Sequence, residues 1–303
     1  GLGSAQLSTT ALVIGIPVYL YLAQAPLAFI IGISAAMSST AFIIQTLAER
    51  NELTTRYGRE AFAILLLQDL AVIVLLAVLP VFTPSGATVH FGVPEIVRSL
   101  GLIAVIVVGG RLLLRHVFRA VVRFGDRDIF TAAALLVVIG TALLMEQAGL
   151  SMPLGAFIAG VALAAHPVAT FIAEQLKPLR DFFLILFFFS LGAEFPISQL
   201  SDVVLPSLVL AFVVMAAKPI IYSRLLMRGG EEPRLAREVG VRLGQASEFS
   251  LLLVVLAFDA GVVSERASLI TQGATLITFI ASSYYVMNRY PTPISVNERL
   301  RQS

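Results

Sequence analysis

AFAILLLQDLAVIVLLAVLP, residues 61–80, is an apolar run long enough to cross a bilayer, with a carboxylate, Asp69, near its middle. An ionised side chain at that depth costs about 3 kcal/mol or more, so one that is kept faces a water-filled cavity or a partner and marks the path of an ion or proton. The rest of the chain agrees. Of its 303 residues 58% are hydrophobic and 13% charged, with a mean hydropathy of +0.91. Globular chains carry about 25% charged residues, so this one reads as an all-α integral membrane protein. It has no cysteine, which excludes disulfides, thiol catalysis and thiolate metal sites. A net charge of +2 is too small to point to nucleic acid, and no short apolar segment with a small-residue cleavage site marks a secretory signal. No nucleophile with its base, no metal cluster and no phosphate-binding loop can be assembled. GLGSAQ, residues 1–6, lacks the third glycine and the preceding strand of a dinucleotide fingerprint. Neither an enzyme nor a cofactor is expected.

Working outward from residue 69, ten apolar segments can be counted, near 4–22, 26–47, 60–82, 96–114, 129–147, 152–170, 182–195, 203–225, 238–258 and 267–288. They make residues 1–289 a transmembrane domain and leave 290–303 as a cytoplasmic tail or linker. The seventh, DFFLILFFFSLGAEF, is short for a span at about 14 residues. Charge sidedness argues that it crosses. Arg50, Arg56 and Arg59, then Arg111 to Arg127, Lys177 and Arg180, Arg224 to Arg242, and finally Arg289, Arg299 and Arg301 occupy alternate connections. If all ten segments cross, these connections share one side, cytoplasmic by the positive-inside rule, and both chain ends join them.

The first three and last three segments then run in opposite senses, as in inverted-repeat transporters whose site lies at the midplane where discontinuous helices meet. The middle segment of the first triplet holds Ser38, Ser39 and Thr40 near its centre; that of the last holds Gly244, Gln245, Ser247 and Glu248. Glycine and serine weaken a helix, and an unwound backbone is tolerated at membrane depth only around a buried or hydrated site. At 1.5 Å per helical residue, Asp69, Ser39 and Glu248 all lie roughly 13 to 15 Å from the cytoplasmic ends. Lys218, in VVMAAKPIIYSRLL, lies about 9 Å from that side and is followed by Pro219, which kinks its helix.

The run MSSTAFIIQTLAERNELTTRYGREAFAILLLQDLAVIVLLAVLP, residues 37–80, with EQAGLSMPLGAFIAGVALA at 146–164 and LGQASEFSLLLVVLAF at 243–258, resembles the Kef-type potassium/proton antiporters of the bacterial cation/proton antiporter superfamily. The resemblance covers essentially the whole chain. It implies an inverted-repeat antiporter fold with two discontinuous crossing helices in the bacterial inner membrane, working as a homodimer whose ion-carrying core moves by an elevator-like step. It also implies that Gln68 and Asp69 match the family's ion-binding pair, with Ser38, Ser39 and Thr40 on one crossing helix and Gln245, Ser247 and Glu248 on the other. Lys218 falls where relatives carry a basic residue in the core. Potassium as the cation comes from the resemblance alone. Family members have further helices ahead of the position of Gly1 and commonly a nucleotide-binding regulatory domain after the last helix, so the chain is expected to be part of a larger protein. The central cytoplasmic loop, HPVATFIAEQLKPLRDFF, has Glu174 and Lys177 but no dense acidic cluster, and so departs from the motif of the glutathione-gated members.

Plainer roles stand beside these. Asp69 could make a structural hydrogen bond within the bundle; Glu248 could compensate exposed amide dipoles or pair with Lys218; Lys218 could be a core counter-ion or a snorkelling stem; Gln68 could bond an adjacent helix. His90, His116 and His166 have no metal-like spacing and read as solvated, and Phe182 to Phe189 read as lipid-facing. The expected mechanism is competition: deprotonated Asp69 holds K+ or Na+, protonation releases it, and the site faces each side in turn, one cation for one proton. A channel would use the same residues without coupling to protons, and a non-transporting sensor would tolerate loss of Asp69.

Overall fold

The computed structural model describes residues 1–49, 51–79, 127–147, 152–164 and 169–290. The segment expected at 96–114, the three histidines and the tail beyond 290 lie outside them. In chain order the helices are α1 (Leu2–Leu22), α2 (Ala25–Ala36), α3 (Thr40–Glu49), α4 (Arg56–Val78), α5 (Arg127–Gln147), α6 (Met152–Ala164), α7 (Ala169–Glu194), α8 (Leu200–Arg228), α9 (Pro233–Arg242), α10 (Glu248–Asp259) and α11 (Glu265–Arg289). Among the described residues there is no strand. Four stretches among the described residues are long and apolar enough to cross a membrane: Leu2–Leu22, Ala25–Ala48, Ile129–Gln147 and Ile197–Arg228.

Two expectations about boundaries change. The seventh apolar segment is the second half of a 26-residue helix, because Glu174 to Asp181, read as a loop from its charges, stays helical through Pro178. The basic connection expected at 224–242 is largely helical as well: α8 runs on to Arg228 and α9 follows after a four-residue turn in which Gly230 adopts φ 93°. Charged residues at i, i+4 spacing support a helix as well as a loop, and hydropathy alone cannot separate the two.

The helices form two units. One contains α5 to α7, where α5 and α6 meet at Gly155: a Cβ there would lie 2.8 Å from the Thr141 carbonyl oxygen. Phe182, Phe183, Ile185 and Phe189 stand exposed along α7.

The other unit contains α1 to α3, all but the last turn of α4, and α8 to α11. Here α1 and α2 form a hairpin turned by Ala23 in the left-handed region. Their axes approach closely because Gly15 faces Gly32; a Cβ on Gly32 would sit 2.6 Å from the Ala11 carbonyl oxygen. Small residues at helix contacts are how membrane helices gain dispersion energy without a hydrophobic driving force. The same device recurs where α9 meets α8, with Gly240 and Gly244 against Ser223 and Pro219. A core of Ile43, Leu47, Leu65, Tyr222, Leu226 and Leu243 joins α3, α4, α8 and the end of α9. Above it, Arg242 is only 2% exposed and pairs with Glu52 at 3.0 Å and with Glu238. The last residue of α9 is thereby fixed to the loop before α4.

Gly32→Val is expected to destabilise the protein by about 1–3 kcal/mol through overpacking, seen as a lower unfolding temperature of the purified protein in detergent. Gly140→Ala, where no atom lies within 4 Å of the added carbon, should leave that temperature unchanged or slightly raised.

Candidate functional site

Two helices of the larger unit are interrupted. The first break is Met37 to Ser39, between α2 and α3: Met37 is extended (φ −73°, ψ 146°), and the Ser39 hydroxyl accepts the Phe42 amide at 3.4 Å to start α3. The second is Leu243 to Ser247, between α9 and α10: Ser247 is extended and accepts the Phe249 amide at 3.1 Å, while its own amide donates to Ser250 Oγ at 3.1 Å. Each second half therefore begins with a serine cap, the residue type that best satisfies orphan amides at a helix start.

The breaks lie against one another. Ser38 Oγ donates to the Leu243 carbonyl at 2.7 Å, and Ser250 Oγ to the Ser34 carbonyl. Lys218, fully buried on α8, donates from Nζ to the Met37 carbonyl at 2.5 Å and the Gln245 carbonyl at 2.6 Å. The Lys218 amino group is thus set between carbonyls just beyond the C-terminal, negative ends of two half-helices. It is directed at main-chain oxygens rather than at a carboxylate.

Gln68 and Asp69, neighbours on α4, do different things. Gln68 is 1% exposed; its Oε1 accepts the Ser38 amide at 2.9 Å and its Nε2 donates to Gln6 Oε1 at 2.6 Å and the Tyr222 hydroxyl at 2.8 Å. Asp69 lies on the half-buried side, where Thr40 Oγ1 donates to its Oδ1 at 3.0 Å. Glu248, the first residue of α10, is also half-buried and interacts electrostatically with Asp69. The side chain of Gln245, 1% exposed, has neither Nε2 nor Oε1 hydrogen bonded. The arrangement therefore offers two carboxylates, a threonine hydroxyl and a free amide beside broken helices whose carbonyls a lysine side chain already engages.

A profile of the family described as sodium/hydrogen exchanger, transmembrane, matches residues 1–286. The chain belongs to this family. Among family relatives, K(+) efflux antiporter 1, chloroplastic, of Arabidopsis thaliana is 39% identical over 280 residues, 88% of this chain and 23% of that protein. The glutathione-regulated potassium-efflux system protein KefC of Salmonella heidelberg is 34% identical over 260 residues, 85% of this chain and 42% of that protein. The chain thus spans less than half the length of these relatives. Family membership and the apolar helices make it a multi-pass membrane protein.

Of the site residues expected from sequence, the structure brings Thr40 and Asp69 together, sets Glu248 within electrostatic reach, and gathers Ser38, Gln68 and Lys218 into buried bonds. Ser39 and Ser247 are helix caps. Gln6, Tyr222 and Thr278, whose hydroxyl accepts the Ala246 amide at 3.1 Å, are not among the residues expected from sequence. Two had a visible signal: Gln6 sits one helical turn from Thr10 on an apolar helix, and Tyr222 one turn beyond Lys218.

Lys218→Met keeps the volume but leaves the carbonyls of Met37 and Gln245 without a donor. A loss of about 2–5 kcal/mol is expected, read as a fall in unfolding temperature larger than that of Lys177→Met on the surface.

Proposed function

We infer that the chain is the ion-carrying part of a monovalent cation/proton antiporter, and that potassium is its cation. The state of Asp69 carries this reading. It is half-buried, it accepts a hydrogen bond from a neutral hydroxyl, its charged neighbour is another acid, and among the described residues no cation pairs with it. A carboxylate so placed calls for a positive charge, which a proton or a metal cation can supply in alternation. Thr40 orients it, Gln245 offers an amide oxygen that is otherwise unused, and Glu248 adds negative charge at the start of α10, where the helix dipole favours it. Lys218 is not a carrier in this scheme; it neutralises the half-helix ends so that the breaks persist without cation. Ser38 and Gln68 hold the breaks in register, and Ser39 and Ser247 begin the second halves.

With one carboxylate exchanging, the cycle is one cation for one proton and electroneutral. Ten crossing helices, with the first and last triplets related as an inverted repeat, would let the site face each side in turn. Basic connections facing the cytoplasm, a homodimer in a bacterial cell membrane and a regulatory domain beyond the last helix complete the proposal. Potassium is favoured over sodium by relatives named for potassium at 34–39% identity.

In liposomes holding the complete protein and a pH-sensitive dye, K+ is expected to collapse an imposed pH gradient, choline to leave it intact, and Asp69→Asn to show only background movement. Cation flux without proton movement would make the protein a channel instead, and a variant as active as wild type would remove the carboxylate from the mechanism. A second outcome follows from competition. On the acid side of the Asp69 titration the apparent KM for K+ should rise about tenfold per pH unit lost, because each proton bound there excludes a cation.

A further inference from the structure

Two fully buried polar residues outside the half-buried face of the site, Gln6 on α1 and Tyr222 on α8, meet at Gln68. Gln68 Nε2 has two hydrogens, and its two short bonds go to these residues, at 2.6 and 2.8 Å. Gln6 in turn donates its amide to the Ala36 carbonyl at 3.0 Å and to Thr10 Oγ1 at 3.2 Å. The Ser38 hydroxyl donates to the Leu243 carbonyl at 2.7 Å, so in its 2.9 Å contact with Tyr222 it accepts. The bond directions are then fixed from end to end: Gln68 donates to Tyr222, Tyr222 to Ser38, and Ser38 to Leu243 of the second break. Chains of this kind reinforce one another in a low dielectric.

Adjacent residues on a helix point about 100° apart, so whatever fixes Gln68 fixes the direction in which Asp69 points. We propose that Gln6 and Tyr222 are positioning residues for the cation: through Gln68 they set the rotation of α4 that brings Asp69 to Thr40, and they hold the first break at its spacing from the second. This rests on the reading of Asp69 as the shared cation and proton site. A proton needs one carboxylate oxygen, whereas a dehydrated cation needs several oxygens at set distances. Loosening the hub therefore weakens the cation and spares the proton.

Tyr222→Phe keeps the ring in its apolar cluster and removes only the hydroxyl; Gln6→Leu and Gln68→Leu remove the other polar groups. In the complete protein each is expected to raise the apparent KM for K+ about five- to tenfold while the maximal rate and the pH at which protons compete stay within about twofold. Because the three share one hub, Tyr222→Phe or Gln6→Leu added to Gln68→Leu should add less than its effect alone, with only the direct bonds to Ser38 and Ala36 left to lose. Hydrogen exchange supplies a readout independent of transport: the Ser38 amide, which donates to Gln68, should lose protection in every variant. An unchanged KM, effects that multiply in the double variants, or a Ser38 amide as protected as in wild type would overturn the proposal. If the wild type itself moved no protons with K+, the antiport reading would fall, and the exchange measurement would still decide whether the hub holds the break.

Discussion

A single amino group, that of Lys218, lies between two interrupted helices and donates to a main-chain carbonyl from each. Breaking a helix inside a membrane protein leaves carbonyls and amides without partners, each costing several kcal/mol if left so in hydrocarbon. Here the amides of the second halves are met by Ser39 and Ser247, and the carbonyls of the first halves by Lys218 and Ser38. Burying the lysine is itself expensive, and it is tolerated because both half-helix ends offer negative potential. Without it the breaks would rewind or hydrate, and the polar residues around them would lose their frame.

That frame leaves the acids unspent. With Lys218 committed to the backbone, Asp69 and Glu248 stay half-buried and within electrostatic reach of each other, joined to the rest by a threonine hydroxyl and a helix start. Division of labour along one turn of α4 makes this possible: Gln68 turns inward and closes the polar network, and Asp69 turns to the half-buried side. Glycines do the corresponding work for the helix axes, since Gly15 against Gly32 and Gly244 against Pro219 bring backbones close enough for side chains on three helices to reach one hub.

Much of this is legible from residues alone. An aspartate in an apolar run, and serine and glycine clusters at matching places in two other runs, mark the carboxylate and both breaks because each is locally unfavourable in a membrane helix. Partners across the fold leave no such mark. Ser38 and Tyr222 meet over 184 positions and Lys218 and Met37 over 181, distances that no periodicity reports. Arg242 reads as one more basic loop residue, yet it is buried between Glu52 and Glu238. The charged stretch of α7 reads as a loop for a similar reason: hydropathy records the cost of membrane burial, and a helix outside the hydrocarbon pays none of it.

The most direct measurement is anomalous scattering from crystals of the complete protein soaked in thallium(I), an analogue of potassium in size and charge. The account predicts a peak in contact with the Asp69 carboxylate and the Thr40 hydroxyl beside the two breaks, absent from Asp69→Asn. A peak elsewhere in the bundle, or one that survives the substitution, would contradict it.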